Sequence, residues 1–93
     1  MTGPVELSVV VPVKDEAENA VPLLNEICAA LRGRTSFEVL FVDDGSTDDT
    51  VKSLVAARQQ SPELRVLRHA KNSGQSRAVR SGVMAARGRL IAT

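Results

Sequence analysis

Aromatic residues are nearly absent from this chain. Among its 93 residues there is no Trp and no Tyr, and Phe37 and Phe41 are its two Phe. A core has to be assembled from Val, Leu, Ile and Ala instead. Cysteine is equally scarce. Cys28 stands alone, which excludes a disulfide framework within the monomer and argues against a Cys-based zinc site. It sits in an apolar helical pattern and reads as a small buried hydrophobe. The single histidine, His69, has no Ser, Cys or second His in a catalytic pattern and reads as a surface or strand-end residue. Charge of one sign is missing too. With 12 basic and 11 acidic residues the net charge is +1, so neither nucleic acid nor an anionic membrane surface gains bulk attraction, and no nucleic-acid partner is expected. The longest apolar stretch, Val9–Val13, is interrupted by Pro12 and is far too short to span a bilayer. Met1-Thr2-Gly3-Pro4 lacks the charged start and apolar run of a signal peptide, so a cytoplasmic location is expected.

What is present is a globular composition, 43% hydrophobic and 25% charged, with room for one small domain. A chain of this length buries about 60–65% of its unfolded surface, which leaves it marginally stable. Short β-branched runs alternate with helical patterns, the signature of βαβ units and a mainly parallel sheet. A first strand reads Leu7 to Val13, with pairing expected to stop at Pro12. The spacing then predicts a helix from about Glu18 to Arg32, starting near Asn19 or Ala20 because Pro22 fits only a first turn, and closed by Gly33. Phe37 to Val42 form a second, apolar strand. Ser46-Thr47-Asp48-Asp49 has the form of a capping box, with Ser46 as N-cap, before a helix whose buried face is Val51, Leu54 and Val55. Leu64 to Arg68 read as a short edge strand. A third helix from about Gln75 to Arg87 is expected to bury Val79, Gly82, Val83 and Ala86, and Gly88 stops it. A fourth strand begins at Arg89. The expected class is therefore α/β, a Rossmann-like parallel sheet in the order 3-2-1-4 with helices on both faces. That order puts a switch point beside strand one, and a ligand crevice at the C-terminal ends of strands one, two and four.

Three polar clusters fall where that crevice should open. Asp43-Asp44-Gly45-Ser46 ends a buried strand. Turn and capping chemistry would account for one acid, but two adjacent carboxylates repel each other and are better explained if one accepts hydrogen bonds from a ligand's N–H or hydroxyl groups. Lys14-Asp15-Glu16 follows strand one. Its acids would favour the positive end of the first helix, and its lysine would either pair with them or reach a phosphate. Lys71-Asn72-Ser73-Gly74-Gln75 precedes the third helix, whose free N–H groups suit an anion. Neither a G-x-x-x-x-G-K-[ST] phosphate loop nor a G-x-G-x-x-G dinucleotide fingerprint occurs, and no nucleophile elbow is present. Arg77 and Arg80 read as a solvated helix face.

Taken together, these segments resemble the opening of a family 2 glycosyltransferase with the GT-A fold, over about Leu7 to Thr93. The most specific piece is Phe41-Val42-Asp43-Asp44-Gly45-Ser46-Thr47-Asp48. Val9 through Asn19 match the opening strand and loop, and Asn72, Gly74, Ala78, Gly82, Ala86 and Gly88 match a third segment in order and spacing. The subgroup most resembled is the dolichyl-phosphate mannosyltransferase-like and polyprenyl-phosphate sugar transferases. The resemblance implies that Pro12, Val13, Lys14 and Glu16 line a base and ribose pocket. It implies that Asp44, supported by Asp43, accepts the ring N–H of the base, and that Gly74 lets backbone approach the nucleotide. The chain departs from the family at Lys14-Asp15, where an aromatic followed by Asn is commoner and would stack on the base.

On this resemblance residues 1–93 are a nucleotide-binding N-terminal subdomain, the N-terminal half of a GT-A fold. In the family a D-x-D motif that binds a divalent metal (Mg or Mn) follows the fourth strand, and its place would come just after Thr93. No catalytic residue and no bound metal are therefore expected in this chain, which alone should be inactive. The parent would be an inverting enzyme moving a sugar from a nucleoside diphosphate sugar, UDP or GDP type, to a polyprenyl phosphate or similar acceptor, at the cytoplasmic face of the membrane. The competing reading is a natural short module that binds a nucleotide or a partner without catalysis. An Asp-x-Asp encoded within a few codons of Thr93 would favour the first, a stop codon the second. A bare fourth strand should also promote self-association.

Overall fold

The computed structural model describes residues 4–69 and 74–93. Seven elements follow one another: β1 (Leu7–Val13), α1 (Ala20–Leu31), β2 (Phe37–Asp43), α2 (Thr50–Ala57), β3 (Leu64–Arg68), α3 (Gln75–Ala85) and β4 (Leu90–Ala92). The strands form one sheet in the order β3-β2-β1-β4, and every pair is parallel. Each crossover therefore runs through a helix, as parallel strands require. β2 takes a central place, and all seven of its residues are buried.

The pleat sorts the strands onto two faces. On one, Phe37, Val39 and Phe41 pack with Ala20, Leu24 and Cys28 of α1, Leu54 of α2 and Leu64 of β3. On the other, Val10, Leu40 and Val42 pack against Ala78 of α3. Cys28 is buried, 1% exposed. Pro22 falls in the first turn of α1, where a missing N–H costs no helical bond. On the second face α3 lies close to the sheet at Gly82, where a Cβ would come within 2.3 Å of Val10 Cγ1.

Several local expectations are corrected. α2 starts at Thr50 rather than beside Ser46, because Ser46 donates its hydroxyl to the buried Asp43 instead of capping. Its buried residues are Thr50 and Leu54, whereas Val55 is 56% exposed. α3 ends at Ala85 and buries Ala78 and Gly82, with Val83 38% exposed. Pairing between β1 and β2 does not stop at Pro12, since Pro12 stands opposite Val42 and Val13 opposite Asp43. Val13 points its carbonyl at β2, where it accepts the Asp44 N–H at 2.9 Å. Alternation then aims the position of Pro12's missing N–H at the opposite side, beyond Val9, the last β1 residue paired with β4.

The end of the sheet away from the crevice is held by one buried charge. Glu38, 4% exposed, accepts the Ser8 hydroxyl at 2.6 Å, the Arg87 N–H at 2.6 Å and an Arg65 guanidinium N–H at 2.8 Å. Ser8 Oγ in turn accepts the Gly88 N–H at 2.7 Å. A Cβ on Gly88 would lie 2.5 Å from the Ser8 backbone nitrogen, so the turn from α3 into β4 seats directly on β1. Burial pushes the Glu38 carboxyl up, but the Ser8, Arg87 and Arg65 donors together hold it below the ordinary value of 4.5. A depressed carboxyl contributes stability that is complete above that ordinary value and lost as pH falls through the folded one. Glu38→Gln should therefore cost roughly 1–3 kcal/mol at pH 7. It should also remove part of the acid limb of a urea-denaturation profile below about pH 4.5, leaving the contributions of Glu63, Asp48 and Glu6, whose carboxyls are likewise lowered.

Candidate functional site

The crevice forms where β1 and β2 end. Asp43 is the last residue of β2 and fully buried. Its carboxylate accepts the Ser46 N–H at 3.0 Å and the Ser46 hydroxyl, which folds Asp43–Ser46 into a closed turn. Gly45 occupies φ 82 in that turn, a left-handed conformation in which a Cβ is penalised. The result directs Asp44 away from the strand and into the crevice.

The loop after β1 is stitched to this turn. The Asp15 N–H donates to Ser46 Oγ at 2.8 Å, and the Asp15 carboxylate accepts the Thr47 N–H at 2.8 Å. Asp15 takes φ 52 to do so, one of the few non-glycine residues that tolerate it. The Glu16 N–H donates to Thr50 Oγ1 at 2.9 Å and the Ala17 N–H to Asp48 at 3.3 Å. Asp48 is held below the ordinary carboxylate range, first by the Thr50 hydroxyl. Neither Asp15 nor Glu16 lies within the first turn of α1; Asp15 braces the second loop, and Glu16 accepts from the Asn19 side chain at 3.1 Å.

Between the two loops lies a cleft of about 310 Å³ lined by Pro12, Val13, Lys14, Glu16, Asp44 and Gln75. Asp44 is 5% exposed. Its Oδ2 accepts the Gly74 N–H at 2.8 Å, and its Oδ1 lies 3.3 Å from His69 Nδ1. The cleft thus gathers Pro12, Val13, Lys14, Glu16 and Asp44 from two distant stretches of sequence. Gly74 adjoins it through its N–H, at φ 93 and ψ 155, a region open to glycine alone. Asp43 is not part of the wall; it is buried behind it. Lys14 is exposed and forms no ion pair among the described residues. Lys71, Asn72 and Ser73 lie outside the described residues. Arg77 and Arg80 are exposed, as a solvated face should be.

Gln75, the last residue of the third polar cluster, does line the cleft, whereas sequence reasoning missed that His69 touches Asp44. The β2–β3 register sets Asp43 opposite Arg68, so the next residues, Asp44 and His69, fall side by side. That neighbourhood was available from strand order and register, but not from the histidine's own context.

The family model for glycosyl transferase family 2 matches residues 8–93. The chain belongs to glycosyl transferase family 2. This family 2 chain is 42% identical, over 95% of its length and 27% of the relative's, to a dodecaprenyl-phosphate galacturonate synthase of Rhizobium johnstonii. It is 35% identical to a dolichyl-phosphate beta-glucosyltransferase of Homo sapiens, over 92% of its length and 29% of the relative's. Among solved structures it resembles a mannosyltransferase from Pyrobaculum calidifontis in complex with GDP-Man and Mn²⁺. The TM-score is 0.84 at 25% identity, covering 97% of this chain and 27% of that one. It also resembles S. aureus TarS in complex with UDP-GlcNAc, with a TM-score of 0.82 at 30% identity, covering 94% and 25%. The family 2 chain thus spans between 25% and 29% of these four proteins. Its sheet is that of the N-terminal part of a GT-A fold. No helix among the described residues is long and apolar enough to cross a membrane.

The stitching of the two loops makes a direct prediction. Ser46→Ala removes both the donor to Asp43 and the acceptor for the Asp15 N–H. The expected loss is roughly 1–3 kcal/mol, read by chemical denaturation, with faster amide exchange at Asp15.

Proposed function

We propose that this chain is the base- and ribose-recognising part of the nucleotide-sugar site of a family 2 glycosyltransferase. The parent enzyme would move a hexosyl group from a nucleoside diphosphate sugar to a polyprenyl phosphate or similar acceptor at the cytoplasmic face of a membrane. The observation that carries this reading is Asp44, a nearly buried carboxylate set in the wall of a cleft at the C-terminal ends of β1 and β2. That is where open parallel sheets bind ligands. A carboxylate oxygen accepts more than one donor, and both uracil and guanine present a ring N–H to it. Asp43, from behind, holds the turn that aims Asp44. Pro12 and Val13 supply the apolar wall, Glu16 an acceptor for ribose hydroxyls, and Lys14 a cation at the mouth toward the diphosphate. Gly74 places a backbone without a side chain beside the nucleotide. Nucleotide-sugar complexes of the structural neighbours and the polyprenyl-phosphate names of the relatives support both substrate classes.

A divalent ion does not fit the residues present. Among the described residues no three His, Cys, Asp or Glu side chains converge to hold one, and Asp43 is committed to Ser46. A Mg or Mn ion used by the parent would be held by residues outside this chain, and the chain alone is inactive in sugar transfer.

Calorimetry with UDP and with GDP, each with and without Mn²⁺, tests this. The expected result is metal-independent, roughly millimolar binding of one of the two, weakened about tenfold or more by Asp44→Asn, as loss of a charge-assisted hydrogen bond predicts. Binding of neither nucleotide, binding untouched by the substitution, or donor turnover above background by the chain would each contradict the proposal.

The exposed edge supports self-association of the chain. β4 is exposed throughout, with Leu90 and Ile91 53% and 43% open to solvent and Met84 of α3 77%. Light scattering should report a dimer or larger species, shifted toward monomer by Ile91→Lys.

A further inference from the structure

We infer that His69 is a positioning residue that holds Asp44 in place for the nucleobase; the inference rests on the reading of Asp44 given above. His69 follows β3, and its backbone N–H donates to the Asp43 carbonyl at 2.8 Å, extending the β2–β3 ladder by one step. Its imidazole then spans two elements. Nδ1 faces Asp44 Oδ1 at 3.3 Å, and Nε2 faces Ser81 Oγ of α3 at 2.9 Å.

The chemistry of the partners orders the ring. An ionised carboxylate only accepts, so Nδ1 carries a proton toward Asp44. In the neutral ring Nε2 then accepts from the Ser81 hydroxyl, which can play either role. Ser81 thereby sets the rotation of the ring, and the ring sets one oxygen of Asp44 while the Gly74 N–H sets the other. A carboxylate held at both oxygens is presented to a ligand in one orientation, which lowers the conformational cost of binding. The His69 side chain is 21% exposed, and it lines a hollow of about 440 Å³ together with Arg77, Arg80, Ser81 and Met84.

Amide side chains separate positioning from mere packing. In His69→Asn the amide nitrogen falls near the place of Nδ1 and can still donate to Asp44, whereas in His69→Gln it falls nearer Nε2 and Ser81. UDP and GDP are the probes, by calorimetry on the full chain, with circular dichroism melting to compare the folding of each variant. His69→Ala should weaken binding of the preferred nucleotide roughly tenfold. His69→Asn should restore most of that loss and His69→Gln should not. A second readout needs no ligand: exchange of the Gly74 amide, which donates to Asp44, should speed up in His69→Ala and His69→Gln and return toward the wild-type rate in His69→Asn. Equal binding and equal exchange in all four proteins overturn the inference, as does a loss that Asn and Gln rescue alike. Should the wild-type chain bind neither nucleotide, the reading of Asp44 as the base acceptor fails, and the exchange pattern still decides whether His69 orients it.

Discussion

The Asp43 carboxylate, fully buried at the end of the central strand, is the contact on which the crevice depends. A charge without solvent is tolerable only when hydrogen bonds replace water, and Asp43 obtains them from the backbone and hydroxyl of Ser46. That requirement closes the turn, demands a glycine at position 45, and turns Asp44 outward. It also leaves Ser46 Oγ as the acceptor for the Asp15 N–H, which ties the loop after β1 to the same point. One buried acid thus organises two loops and sets the direction of the acid beside it, Asp44, in the cleft wall.

The two adjacent aspartates therefore have separate tasks. Mutual repulsion between neighbouring carboxylates is relieved because one faces into the turn and the other faces the cleft, each with its own donors. The ends of the sheet are likewise separated. At the far end Glu38, Ser8 and Arg65 fasten the turn between α3 and β4, with an absent side chain at Gly88 allowing the close approach. The near end stays open because its donors and acceptors are spent on shaping loops rather than on closing them over the strands.

The strands were legible because their signal is local. β1 and β3 have the boundaries that β-branched runs and their flanking breakers imply, and the order 3-2-1-4 follows from right-handed crossovers with helices on both faces. Helix faces were less legible. α2 and α3 are short, and Val55 and Val83 remain exposed although they fit a helical stripe, because the sheet beneath offers contact only along the lines of Leu54 and of Ala78 and Gly82. Ser46 misled for a different reason. Its spacing suits a capping box, but a buried carboxylate three residues earlier takes the hydroxyl, since leaving Asp43 without donors would be costly, and the first N–H of α2 is met instead by Asp48.

By itself the sequence determined the alternation of strand and helix, the centrality of β2, and the residue types of the crevice, Pro12 through Glu16 and Asp43-Asp44, because those depend on chain-local pattern and on motifs in register. The resemblance already singled out Asp44 over Asp43, and only the tertiary structure decided what holds Asp44 in place and what ties the first loop to its turn. That arrangement rests on contacts between residues 25 to 31 positions apart, His69 and Gly74 on Asp44 and Asp15 on Ser46. Such contacts arise from strand register and loop packing, and no local pattern encodes them.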